Sequence, residues 1–156
     1  MRELGAAIAL DYRGREPILV ASLKTAIVFL ADLSRALPIV HNLDFVALAG
    51  YGGNGRAGGS VRLLKDLDLS ITGRHVLLVE DIVDTGLSLN YLAKTLSLRE
   101  PASLAAVALL DRPYRRLVEA LPLRYVGFTV PDEFFVGYGF DLDDRWRNLP
   151  ELRLVR

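Results

Sequence analysis

Three carboxylates, two hydroxyls and a glycine crowd into one short stretch near the middle of the chain: Glu80-Asp81, then Asp84-Thr85-Gly86, then Ser88. The residues just before them, Val76 to Val79, are all apolar and read as a short buried strand of a parallel sheet. An apolar-periodic run starts a helix near Leu87. A strand that passes through a tight polar turn into a helix N-terminus aims backbone N–H groups and the positive end of a helix dipole at one spot, which suits an anion. Thr85 and Ser88 add hydroxyl donors. The carboxylates cannot hold a phosphate, so they point to a divalent metal, sugar hydroxyls or proton transfer. Neither common nucleotide loop is present: a Walker A loop needs a lysine in the turn, and a dinucleotide fingerprint needs more than the lone Gly86.

The elements that must position this turn alternate along the chain. Leu4, Ile8 and the neighbouring alanines predict a helix ending near Gly14. Pro17 introduces a buried strand, Ile18 to Ala21, after which Thr25 can cap a helix through Phe29 to Ala36. Phe45 to Tyr51 and Val61 to Leu64 read as strands. Between them residues 50–60 hold six glycines in eleven positions, the composition of a mobile lid. The helix from Leu87 runs to about Leu98 and is broken at Pro101, and Leu104 to Leu110 and Tyr125 to Val130 are further strands. Such alternation predicts an α/β fold with right-handed crossovers, a mostly parallel central sheet and helices on both faces. Ligands of such sheets sit beyond the carboxyl ends of the strands, where Glu80 to Ser88 fall. The segment from Val130 onward has no clear period and should form a small C-terminal hood over the strand ends. The expected organisation is one domain over 1–156, with a core of about 1–129, a hood of about 130–156 and a lid at about 50–60.

Composition narrows the class. At 156 residues, 51% hydrophobic and 24% charged, the chain is long enough to bury a core. Nineteen basic residues balance nineteen acidic ones, so there is no electrostatic footprint for nucleic acid or an anionic membrane. With no cysteine, disulfides, thiolate zinc sites and cysteine nucleophiles are excluded. Only His41 and His75 are present, too few for a histidine-rich metal cluster. His75 reads as structural, at the start of a strand, and His41 as a loop residue. No stretch approaches the ~18 apolar residues of a membrane span. The N-terminus lacks a signal-peptide pattern, and the expected compartment is the cytoplasm.

The segment VLLVEDIVDTG (76–86) resembles the phosphoribosyl-pyrophosphate (PRPP) motif of type I phosphoribosyltransferases. Taken with LKDLDLSITGRH before it and VPDEFFVGYGFDLDDRWRNLP (130–150), the chain is similar to the hypoxanthine-guanine phosphoribosyltransferases from about Leu4 to Leu152. The resemblance implies a purine salvage enzyme that joins hypoxanthine or guanine to PRPP, releases pyrophosphate, gives IMP or GMP and needs Mg²⁺. It places the 5′-phosphate on Asp84, Thr85, Gly86, Leu87, Ser88 and Leu89. Glu80 and Asp81 match the acids that hold magnesium and the ribose hydroxyls. Asp84 matches the catalytic carboxylate near purine N7. Phe134 matches the aromatic that stacks on the base and Phe135 the backbone that reads its edge. Asp141 matches a residue at the purine side near a second magnesium, and Arg147, with Lys24 and Thr25, the pyrophosphate site. A cis Leu23-Lys24 peptide is also implied. Family members are usually dimers or tetramers, and the Ala26-Ile27-Val28-Phe29 face reads as either a contact surface or core.

Four departures from the family pattern stand out. Thr25 replaces a glycine of the pyrophosphate loop. Arg112 replaces the lysine that donates to the purine 6-oxo group, a role a guanidinium fork can also fill. The lid pair becomes Gly50-Tyr51, losing a hydroxyl. The chain begins inside the first family helix. These departures leave open a related enzyme taking xanthine or adenine, or a non-catalytic nucleotide-binding paralogue. An RNA-binding regulator on the same fold is a further alternative, against which the neutral charge argues.

Overall fold

The computed structural model describes residues 1–49 and 61–155. Helix α1 (Arg2–Asp11) leads through Pro17 into β1 (Ile18–Leu23), followed by α2 (Ile27–Ala36) and β2 (Asn42–Ala49). Then come β3 (Arg62–Lys65), β4 (His75–Val83), α3 (Leu87–Ser97), β5 (Ser103–Asp111) and β6 (Leu123–Thr129). A 3-10 turn, Pro113–Arg115, separates β5 from β6, and β7 (Phe135–Val136) pairs with β8 (Arg153–Leu154) near the C-terminus. The main sheet has six strands in the order β3-β2-β1-β4-β5-β6. All its pairings are parallel except β2 with β3.

Alternation along the strands divides the core in two. Leu19 and Ala21 of β1, Leu77 and Val79 of β4, and Val107 and Leu109 of β5 pack with Ile8 of α1 and Phe29, Leu30 and Leu33 of α2. Their neighbours Ile18, Val20, Val76, Leu78, Ala106 and Ala108 pack on the opposite face with Leu89, Leu92 and Leu96 of α3. Because both faces are covered, these strands read as continuous apolar runs. Phe29 is completely buried, and truncating such a side chain to alanine costs about 3–5 kcal/mol. Among the described residues no helix is long and apolar enough to cross a membrane.

Several expectations are corrected. Thr25 does not cap α2: the helix starts at Ile27 with Ala26 at the N-cap position, and no side chain caps it. Strand β4 extends well past Val79, so Glu80 and Asp81 lie inside the strand and not in the turn. β2 begins at Asn42, three residues before Phe45, while its expected end, Gly50-Tyr51, and the proposed lid lie outside the described residues. On α2, Ala26 and Phe29 are core and Ile27 is exposed. His75 accepts or donates a 2.8 Å hydrogen bond with Ser103, consistent with a structural role. His41 Nε2 lies 2.8 Å from the Ser34 hydroxyl.

Candidate functional site

β4 is flanked by β1 and β5, so its carboxyl end opens at the middle of the sheet. There the chain turns through Asp84 and Thr85 into α3. Gly86 takes a left-handed conformation (φ 82°) at the N-cap position, which a glycine adopts without steric cost. The first helical bond runs from the Asn90 N–H to the Gly86 carbonyl, at 2.9 Å. The N–H groups before it have no intrahelical acceptor. They face a cavity of about 220 Å³ lined by Glu80, Ile82, Val83, Asp84, Thr85, Gly86, Ser88 and Leu89. A larger concavity of about 1130 Å³ runs along α3, past Leu87, Leu98, Leu104 and Leu121. Among the described residues its walls carry no carboxylate, whereas the smaller cavity is lined by Glu80 and Asp84.

Successive strand residues point to opposite faces, and this separates the two acids of β4. Glu80 lines the α3 cavity and accepts a 3.1 Å hydrogen bond from the Ser22 hydroxyl. Asp81 lies on the Thr25 side, within the field of Arg147. Burial, reinforced by the neighbouring Asp81 charge, pushes the Glu80 carboxyl up to about 8. Burial also raises Asp81 to about 6, against the Ile82 N–H, the Thr25 hydroxyl and Arg147, which pull it down. Two buried carboxylates with this desolvation cost favour a cation beside them. Among the described residues no three acids or histidines cluster as a self-sufficient metal site. Magnesium commonly takes only one or two carboxylates and completes its shell with water and substrate oxygens. Glu80 and Asp81 fit that role. Asp141 is not clustered with them: its carboxylate pairs with Arg147 at 2.9 Å and accepts the Asp144 N–H at 2.8 Å.

Asp84 sits between two arginines. Arg112 Nη1 is 3.7 Å from Asp84 Oδ2, and Arg115 Nε is 3.4 Å from Oδ1. Asp84 Oδ1 and Arg112 Nε are both buried without a hydrogen-bond partner, an arrangement that leaves polar atoms for a ligand to satisfy. The Arg112 guanidinium is itself buried and donates through Nη2 to the Glu133 carbonyl at 2.5 Å. Next to that carbonyl, Phe134 is 51% exposed and so is not core. Val155 N–H bonds the Phe134 carbonyl, making 134 and 155 the hydrogen-bonded pair. Residues 135 and 154 are then the non-hydrogen-bonded pair, whose N–H and C=O groups face away from the partner strand. Phe135 therefore keeps its backbone groups directed away from β8.

The C-terminal segment also reaches the loop after β1. The Leu23-Lys24 peptide is cis. Gly139 lies so close to this loop that a Cβ on it would fall 2.3 Å from the Thr25 carbonyl oxygen. Lys24 Nζ donates to Asp144 Oδ2 at 2.8 Å, and Arg147 Nη2 donates to Asp144 Oδ1 at 2.9 Å. Lys24, Asp141, Asp144 and Arg147 are thus linked by ion pairs, and Gly139 brings the same C-terminal segment against the Thr25 loop. Sequence reasoning missed Ser22, Arg115 and Asp144. The Arg115-Arg116 pair and the acidic run ending at Asp144 were visible, but only the fold shows what each one meets.

A family model described as the phosphoribosyl transferase domain matches residues 1–143. A hypoxanthine phosphoribosyltransferase of Salmonella typhimurium is 46% identical over 150 residues, covering 95% of this chain and 84% of the relative. A bifunctional protein TilS/HprT of Listeria innocua is 42% identical over all 156 residues, and the chain spans 24% of that longer relative. The crystal structure of a hypoxanthine-guanine phosphoribosyltransferase from Bacillus anthracis, with a HEPES molecule in its active site, superimposes with a TM-score of 0.93. It is 42% identical and covers 99% of this chain and 91% of its own. The chain belongs to the phosphoribosyltransferase family, in its hypoxanthine-guanine branch.

Proposed function

We propose that this protein transfers the phosphoribosyl group of PRPP to hypoxanthine or guanine, giving IMP or GMP and pyrophosphate. The observation that carries the reading is the cavity lined together by buried Glu80, half-buried Asp84 and the α3 N-terminal turn Thr85, Gly86, Ser88 and Leu89. The 5′-phosphate rests on the backbone of Asp84 to Leu89 and the Thr85 and Ser88 hydroxyls, where dipole and donors favour an anion. Glu80 and Asp81 would hold Mg²⁺ and the ribose hydroxyls, and a bound ion would supply positive charge against the polyphosphate. Lys24, the Thr25 loop and Arg147 receive the pyrophosphate end.

Purine N9 forms the new bond to ribose C1 as the C1–O bond to pyrophosphate breaks, and that electron pair leaves on pyrophosphate. Asp84 takes the proton from purine N7, and its negative charge supports the cationic sugar on the way. Phe134 stacks on the base and the backbone of Phe135 reads its edge. Arg112 reads the 6-oxo group, and Asp141, at the purine side, would serve a second magnesium. The fold acts as one domain with the 130–155 segment as hood, in a cytoplasmic homo-oligomer. The test is to give purified protein PRPP and Mg²⁺ with hypoxanthine, guanine, xanthine, adenine and uracil separately, and to resolve the nucleotides by chromatography. Failure to form IMP or GMP sinks the reading, and preferential XMP or AMP formation changes the base.

A further inference from the structure

Asp144 holds two cations at once. Lys24 Nζ donates to its Oδ2 at 2.8 Å, while Arg147 donates to Oδ1 through Nε at 3.2 Å and Nη2 at 2.9 Å. From this geometry we infer that Asp144 is a resident counter-anion of the pyrophosphate subsite, which the pyrophosphate end of PRPP must displace. The inference rests on the reading that Lys24 and Arg147 receive pyrophosphate.

The carboxylate presents its two oxygens much as a phosphate presents two of its own, one to each cation. It is also easily displaced. Side-chain exposure is 67% for Lys24 and 61% for Asp144, and exposed ion pairs are individually weak, so exchange for a multiply charged anion is favourable. The carboxylate is nevertheless presented by a fixed backbone. Asp144 has a left-handed φ of 62°, and its N–H is bonded to Asp141 Oδ2.

Arg147 keeps other partners when Asp144 lets go: Nη1 donates to the Gly139 carbonyl at 2.8 Å, and Nη2 is ion-paired with Asp141 Oδ1 at 2.9 Å. Lys24 has no other side-chain partner among the described residues. Displacement therefore frees Lys24 while Arg147 stays aimed. The same competition lowers the affinity for pyrophosphate as a product and hastens its departure, at the expense of PRPP affinity.

The test is calorimetry with magnesium pyrophosphate and, separately, with IMP, which lacks the pyrophosphate. Asp144→Asn removes the charge, and asparagine tolerates the left-handed backbone. Asp143→Asn makes the same change in net charge one residue away, at a carboxylate with no ion pair among the described residues. The wild type and each variant are melted first to establish folding. Asp144→Asn should bind pyrophosphate about two- to tenfold tighter, as expected for loss of a small exposed ion-pair network. Its IMP affinity should not move, and Asp143→Asn should match wild type for both ligands. An equal gain in Asp143→Asn reduces the effect to net charge and overturns the inference. Lys24→Ala separates the two layers. If it weakens pyrophosphate while Asp144→Asn changes nothing, the counter-anion role alone is wrong. If Lys24→Ala leaves pyrophosphate affinity intact, the assignment of Lys24 fails and takes the inference with it.

Discussion

Arg112 and Asp84 meet below the surface: Nη1 of the buried guanidinium lies 3.7 Å from Asp84 Oδ2, while Nη2 donates to the Glu133 carbonyl. One side chain thus connects the turn after β4 to the segment that presents Phe134 and Phe135. A lysine in its place offers a single point charge and cannot span both acceptors with the same planar geometry.

Arg112→Ala should lose base affinity with little change toward PRPP, because it removes the contact to Glu133 and leaves Asp84 with Arg115 alone. Arg112→Lys should stay active on hypoxanthine and guanine with weaker base binding. Adenine should be essentially inert with wild type, since a site built for hydrogen bonding rejects a mismatched partner by as much as about 10⁴–10⁵-fold. Steady-state kinetics with each base checks this, and adenine turnover comparable to hypoxanthine refutes the role of Arg112 in reading the base.

Asp84→Asn should keep the fold and PRPP affinity while turnover falls by about 10²–10⁴-fold, the usual contribution of a positioned proton acceptor. Melting, PRPP calorimetry and initial rates together make the test. A variant with near wild-type turnover would show that the N7 proton goes elsewhere.

Glu80→Gln and Asp81→Asn should each weaken binding of PRPP with magnesium much more than binding of the purine, if both acids serve the ribose and the metal as proposed. Both substitutions keep shape and replace a carboxyl whose charged form burial disfavours with a neutral amide, so the metal-free protein should melt no lower than wild type. Unchanged PRPP affinity in both would make the two acids strand-end residues of structural value only.

How much of this could be read from the chain differs by region. β1, β4 and β5 were legible because strands covered on both faces are apolar without interruption, as in Ile18 to Ala21 and Val76 to Val79. The start of α2 differs from the reading because Thr25 is a good capping type, yet the loop after β1 continues past it and the helix begins at Ile27 with no side-chain cap. Asp44 gave no signal at all. It is buried, and besides the adjacent Phe45 N–H it accepts the N–H groups of Asp68 and Leu69 at 3.0 and 2.8 Å, contacts that are distant in sequence. The C-terminal segment was legible as residue types but not as geometry. Tyr138, Asp143, Asp144 and Trp146 all have positive φ, which those residue types rarely announce.

Tyr138 donates a 2.6 Å hydrogen bond to Asp32 on α2, and this hydroxyl, more than Arg35, holds the Asp32 carboxyl below its usual value. A carboxylate depressed in the folded state contributes stability above its unfolded pKa and loses it as the pH falls. Tyr138→Phe should therefore cost about 1 kcal/mol at neutral pH. The gap to wild type should close as the pH drops below 3.8, the ordinary Asp value. Denaturant melts of both proteins across acid pH check the sign, and a pH-independent difference would mean that only packing was lost.

β7 and β8 are two residues each and pair only with one another. The segment that contains them is joined to the rest by Phe140, which is buried in the α1/α2-side core with Phe135, Tyr138 and Leu152 packed against it, and by side-chain ties that include Tyr138 to Asp32, Lys24 to Asp144 and Arg112 to Glu133. Such a unit can come loose as a subglobal opening, at lower free energy than the six-stranded sheet. The α3 N-terminal turn, where the 5′-phosphate is proposed to rest, follows directly from β4 of the main sheet, whereas Phe134 and Phe135 belong to the small C-terminal unit. Gentle warming or dilute denaturant should then produce a state that still grips ribose phosphate but has let the base go. Amide hydrogens of Val136 to Tyr138 should exchange with solvent well before those of Leu77 to Val79.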